Sequence, residues 1–231
     1  MDFLHIITYA AIGGIIPCLF WLVFWLREAH EHPEPPQIIL ACFIGGMLST
    51  IVVFPFEYLV TLLFRDGSIV AITLWAFIEE TVKLAACWFI ALRTHKNHEP
   101  IDVVVYMVTV ALGFAALENT IYLISPLMNG DVLGSIITGN LRFVGAALLH
   151  TLCSAIVGVF LAFTFFKKPL RKEEYAAIGL FFAGVLHTLF NFFILSDSGA
   201  QTFLAFASVW LLIIMLIVLL EKVKNITNTT I

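Results

Sequence analysis

Charge is what this sequence has least of. Of 231 residues, 12 are Lys or Arg and 16 are Asp or Glu, so 12% are charged against 61% hydrophobic. A soluble domain carries roughly 25% charged residues, and a chain this poor in them has lipid as its natural solvent. The formal net charge of −4 gives no basic surface for nucleic acid. Cysteine is equally sparse. Cys18, Cys42, Cys87 and Cys153 all fall inside apolar runs, and none has the CxxC spacing of a zinc or dithiol site; they read as small packing residues. The N-terminal "MDFLHIITYA" lacks the basic segment of a cleavable signal peptide, and the run behind it is too long for one. With no internal repeat, no low-complexity tract and no separate soluble stretch, residues 1–231 read as one transmembrane domain.

What is present is oil-soluble sequence in helix-length pieces. Spanning the hydrocarbon core takes about 20 apolar residues per helix. Seven such stretches stand out, at about 3–26, 38–64, 69–92, 101–124, 141–166, 175–195 and 201–220. The fold class expected is therefore all-α, a polytopic bundle of about seven transmembrane helices. Polar punctuation separates the runs, from "REAHEHPEPPQ" to "RDGS" and "KKPLRKEE". The Gly-rich stretch 125–140 is only partly polar and is expected to lie at the interface or to re-enter the membrane partway. Lys and Arg divide unevenly between the two sides. Arg27, Arg93, Lys96, Lys167, Lys168, Arg171, Lys172, Lys222 and Lys224 share one side, and Arg65 and Arg142 the other. The positive-inside rule then places the N-terminus outside the cell and the C-terminus in the cytoplasm. The N-x-Thr patterns at Asn225 and Asn228 fall on the wrong side for glycosylation.

Against this background "WAFIEETVKL" (residues 75–84) is anomalous: Glu79, Glu80 and Lys83 lie near the middle of the third apolar run. Each costs about 2.5–3.5 kcal/mol at mid-bilayer, which is why ionisable groups there mark function. Glu79 and Lys83 are i, i+4 neighbours and Glu80 and Lys83 are i, i+3, so the lysine can meet both carboxylates but neutralise only one. A structural ion pair is the plain alternative. Similar intrusions recur in the next three runs: Glu118 and Asn119 in "GFAALENTIYL", His150 and Ser154 in "ALLHTLCSAIVG", His187 and Asn191 in "GVLHTLFNFF". A lone intramembrane His or Asn is ordinary interhelical glue; these groups taken together, on four consecutive helices, point to one cavity open to the outside. Carboxylates and imidazoles sharing such a cavity supply general acid–base chemistry and oxyanion stabilisation, the parts needed to hydrolyse a peptide bond without a covalent intermediate.

The order of these elements carries a resemblance. "EETVK" (Glu79–Lys83), "FAALE" (Phe114–Glu118), "HTLCS" (His150–Ser154) and "HTLFN" (His187–Asn191) together resemble the PrsW family of intramembrane proteases, itself distantly similar to the CAAX prenyl endopeptidase and bacteriocin-immunity superfamily. The likeness covers residues 69–195. It implies a bacterial multi-pass hydrolase of the site-1 type, one that opens regulated intramembrane proteolysis by clipping a single-pass, anti-sigma-factor-like substrate near its extracytoplasmic face. It also implies Glu79 as general base, Glu80 as its partner, and His150, His187 and Asn191 as proton carriers or oxyanion donors, with Lys83, Asn119 and Ser154 supporting. The second motif ends in Glu118 where the CAAX pattern has His, and Lys83 stands in place of a more distant Arg, so prenyl specificity is not implied.

Two His and several carboxylates can ligate zinc, but no HExxH helix is present, and a site without metal or other cofactor is expected. Glu57 reads as interfacial, Arg142 as structural, and His95, His98 and "HEHPEP" as solvated loop. "KKPLRK" sets topology and contacts anionic membrane lipid. The rival reading is a proton- or cation-coupled transporter, since buried Glu, Lys and His also line ion pathways. Transporter folds are commonly built from inverted repeats, and no such pairing is visible.

Overall fold

The computed structural model describes residues 2–28, 34–94, 98–167, 169–195 and 199–226, and among them there is no strand. The helices are α1 (Phe3–Glu28), α2 (Pro36–Leu63), α3 (Ile69–Cys87), α4 (Pro100–Met128), α5 (Val132–Leu141), α6 (Ala147–Ala162), α7 (Pro169–Leu195) and α8 (Gly199–Lys224). Wide π-helical turns extend α3 through Trp88–Leu92 and join α5 to α6 through Arg142–Ala146.

Local chemistry sets these limits. Pro36 and Pro100 open their helices at the first turn, where a missing N–H costs nothing. Glu99 and Asp102 cap α4 reciprocally, each side chain accepting an otherwise orphaned N–H. The turn between α2 and α3 needs a left-handed residue, supplied by Gly67 at φ +69°, and Ser68 caps the next helix by accepting from the Ala71 N–H.

Among the described residues, six segments are long and apolar enough to cross a membrane: 3–27, 36–63, 100–128, 132–162, 170–195 and 199–224. The seventh run, α3 with its π turn, has sufficient length at about 36 Å and fails only on composition, because it carries Glu79, Glu80 and Lys83. The chain is therefore an all-α polytopic membrane protein. The stretch 125–140 is largely helical: α4 runs on to Met128, a turn with Gly130 at φ +73° reverses the chain, and α5 begins at Val132.

Helix α4 is the axis of the bundle, buried on all sides and packed against α1, α2 and α6. Apolar character all round a helix predicts this. Its neighbours approach closely through small residues, as membrane helices do. A Cβ on Gly46 of α2 would collide with the Val110 carbonyl of α4, and one on Gly113 of α4 with the Phe43 carbonyl of α2; on α6, a Cβ at Gly158 would lie 2.8 Å from Val104 Cα. Backbone cannot yield as a flexible side chain can. Gly113→Ala is therefore expected to lower stability by about 1–3 kcal/mol, whereas Gly199→Ala, which meets open space, is expected to be neutral. Thermal unfolding of the two purified variants in detergent checks the contrast. The outer faces of α1, α2 and α8 carry exposed Phe, Leu, Ile and Val, the surface lipid requires.

Candidate active site

The anomalous trio sits on the face of α3 turned toward α6 and α7, and Lys83 is its centre. The Lys83 ammonium donates to Glu80 Oε1 at 2.7 Å and to Glu79 Oε2 at 3.4 Å, and lies 2.8 Å from His150 Nδ1 on α6. It also stands 4.2 Å above the Phe114 ring of α4, a cation–π contact. Lys83 and Glu80 are both 0% exposed.

These contacts fix the imidazole tautomers. An ammonium has no lone pair, so His150 Nδ1 must accept from Lys83; Nε2 then carries the hydrogen and donates to Glu118 Oε2 at 3.1 Å. His187 on α7 is set the other way. Its Nδ1 lies 2.9 Å from Glu80 Oε1 and donates to that carboxylate, leaving Nε2 turned toward Glu79 Oε2 at 3.9 Å. The two rings meet edge to face, 5.1 Å between centroids.

The two adjacent glutamates therefore have unlike surroundings. Glu80 accepts from Lys83 and His187 at one oxygen and from Ser154 at the other, at 3.3 Å. Glu79 has its long contact to Lys83 and two imidazole nitrogens at 3.9 Å. From α2, the Glu57 side chain lies close enough to Glu79 to interact with it. Glu57 was expected at the interface; the bundle instead turns it inward, with the Trp75 indole donating to its backbone carbonyl at 3.3 Å.

At the rim of the cluster, Glu118 is held between His150 and a salt bridge from Arg142. Arg142 Nε donates to Asn119 Oδ1 at 2.5 Å, and the guanidinium lies 3.9 Å from the centre of the Tyr122 ring. Arg142 opens the π turn before α6. The Trp21 and Trp210 indoles donate to the Phe143 and Val144 carbonyls there, at 3.1 and 3.2 Å.

The four motifs do converge: Glu79, Glu80, Lys83, Glu118, His150, Ser154 and His187 form one connected network, and Asn119 joins through Arg142. Asn191 does not join. It is half-buried one turn beyond His187 and makes no hydrogen bond to the cluster among the described residues. Arg142 and Glu57 are the members that sequence spacing missed, each lying at an end of its apolar run where a charge is unremarkable. Cys153, one residue before Ser154, is fully buried, and its sulfur lies with Glu80 and His187 in a ligand-like group. Among the described residues the cluster is closed rather than lining an open cavity: Glu79, His150 and His187 are buried, and it is most exposed at Glu118 and Arg142, whose side chains are 19% and 16% exposed. Of the loop histidines, His98 is described, and its backbone N–H donates to Asp102. His95, most of "HEHPEP", Lys168 and Asn228 lie outside the described residues.

A divalent cation is compatible with this donor set. Glu79, His150 and His187 each offer one ligand atom, all within 4.8 Å of one another, and one carboxylate with two imidazoles is a known catalytic zinc combination. His150 Nδ1 is, however, already engaged by the Lys83 ammonium at 2.8 Å, which also lies 3.4 Å from Glu79 Oε2.

Comparison with known proteins agrees with the motif order. The family model described as "PrsW family intramembrane metalloprotease" matches residues 34–220. Among curated proteins, "Protease PrsW" of Geobacillus kaustophilus is 31% identical over 169 residues, covering 71% of this chain and 69% of the relative. "Protease PrsW" of Bacillus subtilis is 28% identical over 201 residues, covering 81% and 83%. That of Oceanobacillus iheyensis is 27% identical over 225 residues, covering 95% and 97%. No solved structure gives a significant match.

Proposed function

Because this chain belongs to the PrsW family of intramembrane proteases, we propose that it cleaves a single-pass membrane protein of the anti-sigma-factor kind near the extracytoplasmic face, using water activated by glutamate. The orientation is the one Lys and Arg placement favours, which turns the Glu118–Arg142 rim outward. One observation carries the reading: carboxylates and imidazoles from α3, α4, α6 and α7 close into a single hydrogen-bonded cluster inside a bundle that otherwise excludes them.

Each group has a role that follows from its contacts. Glu80 is saturated by Lys83, His187 and Ser154 and serves to position. Glu79 is the freer carboxylate and acts as general base. It takes a proton from water as the water oxygen bonds to the scissile carbonyl carbon, then returns that proton to the departing amide nitrogen. His187 Nε2 faces Glu79 and steadies the oxyanion once it holds a proton, a contribution worth about 2.7–4 kcal/mol per donor where it has been measured; His150, engaged at both nitrogens, holds Lys83 and Glu118 in place. Glu118 fixes the His150 tautomer through Nε2 and is itself held by Arg142. Asn191 acts only if substrate entry draws its half-turn inward. Residues 69–195 hold this machinery, with Glu57 added from α2. A regular helix shields its peptide bonds, so the substrate has to present an unwound segment at the rim.

A bound metal would be held by Glu79, His150 and His187, and would supply Lewis-acid polarisation of the carbonyl. The Lys83 ammonium argues for the metal-free form. Purified protein in proteoliposomes with a tagged anchored substrate is expected to yield a discrete cleavage product, and the rate is expected to survive a chelator unchanged. Loss of cleavage with chelator and its return with zinc would assign the trio to a metal instead. Ion flux without cleavage would favour a transporter; nothing in the geometry favours that second reading.

A further inference from the structure

At the end of the bundle away from the catalytic cluster, a cavity of about 400 Å3 opens between α1, α2 and α4. It lies about 24 Å along α4 from Glu118, taking Asp102 as its mark. Leu19, Leu22, Val23, Ile39, Leu40 and Phe43 form its apolar walls, and Arg27, Glu34 and Asp102 sit at its mouth. From Arg27 to Leu19 it follows α1 for about 12 Å, parallel to the helices. Leu19, Val23 and Leu40 are also partly exposed on the bundle's outer face, so the cavity communicates with the bilayer rather than with bulk water.

The mouth carries an excess of acid. Glu34 lies beside Asp102, the Tyr106 hydroxyl donates to Glu34, and one oxygen of Asp102 accepts the His98 and Glu99 backbone N–H groups. Among the described residues neither carboxyl forms an ion pair with a cationic side chain. Burial, then the adjoining Asp102, pushes Glu34 up to about 8, a direction that a neighbouring cation would oppose. A second irregularity lies in an adjoining, narrower cavity. The Trp25 indole N–H is buried with no partner, and Trp25 lines a narrower cavity that shares Leu22, Leu26, Ile101 and Val105 with the larger one.

We propose that this is a binding site for one phospholipid bearing a primary ammonium headgroup, a phosphoethanolamine lipid. An acyl chain fills the apolar channel, the ammonium donates to Glu34 and Asp102, and the phosphate pairs with Arg27. The occupant is a lipid because the channel runs along the helices from the Lys- and Arg-rich end toward mid-bilayer and is open to acyl chains at its side. The headgroup is a primary amine because two carboxyls face one guanidinium, and a trimethylated ammonium has no N–H to donate. The site stands independently of the proteolytic reading.

The test is lipid retention by the full-length protein, extracted from vesicles of equimolar phosphatidylethanolamine, phosphatidylcholine and phosphatidylglycerol and measured by native mass spectrometry. One phosphatidylethanolamine per chain is expected, preferred about tenfold over phosphatidylcholine, the factor a charge-assisted hydrogen bond supports. Glu34→Gln is expected to cut that preference severalfold while the protein stays folded, and Ile39→Trp, which fills the channel, to abolish retention. Should Ile39→Trp fail to accumulate, the Glu34→Gln result decides alone. Equal retention of phosphatidylcholine, a preference for phosphatidylglycerol, or a preference untouched by Glu34→Gln would overturn the assignment.

Discussion

Glutamine at Glu79 is expected to stop cleavage of an anchored substrate, by about 10²–10⁴-fold, and to leave the protein accumulating at its normal level. Glu79 carries few close contacts, and the amide keeps its volume. Glutamine at Glu80 is expected to stop cleavage as well, but with loss of protein. Glu80 is the near partner of a lysine with no exposure and of His187, and removing one member of a buried ion pair costs about 3–5 kcal/mol. Measuring substrate turnover and membrane abundance together separates the neighbours. Residual cleavage by Glu79→Gln above the hundredfold-reduced level would remove Glu79 as the base. Equal abundance of both variants would remove the distinction between base and positioning residue.

The largest stability effect belongs to Lys83→Met. It strips the cation from between two glutamates and from His150 Nδ1, leaving the carboxylates to face each other in a sealed site. A loss of about 3–5 kcal/mol, or roughly 10 °C in Tm, is expected in detergent-solubilised protein. Adding Glu80→Gln removes the orphaned charge, so the double variant is expected to be more stable than Lys83→Met alone and still inactive. This non-additivity is the signature of contacting residues. A double variant no more stable than the single would mean that Lys83 acts through packing rather than charge.

Much of the architecture was legible in the sequence because lipid imposes a simple rule on each spanning segment. Apolar runs located all seven long helices, and the polar residues inside them located the cluster. Spacing at i+3 and i+4 placed Lys83 against both glutamates correctly. What spacing cannot reveal is the relation between helices. Glu57 and Arg142 looked ordinary at the ends of their runs because a charge near the interface needs no partner, and only packing turns them toward Glu79 and Glu118. Asn191 stands apart for the converse reason: its spacing from His187 matches the His150–Ser154 pair, but among the described residues it makes no hydrogen bond to the cluster. The helical character of 125–140 was hidden by its glycines, of which Gly130 alone makes the turn while Gly134 and Gly139 sit within α5.

The wide turn at Arg142–Ala146 has a bearing on timing around the helix axis. In an unbroken α-helix, eight residues advance two revolutions plus about 80°, and Arg142 would point well away from His150. A π turn takes up about one residue, which trims the advance to within about 20° of two whole revolutions. Both side chains thereby land on a single meridian and grip Glu118 from above and below. The tryptophans at Phe143 and Val144 occupy the carbonyls that the swollen turn exposes, so the phase adjustment is locked by α1 and α8. Helices that bear no catalytic group thus govern the azimuth of one that does.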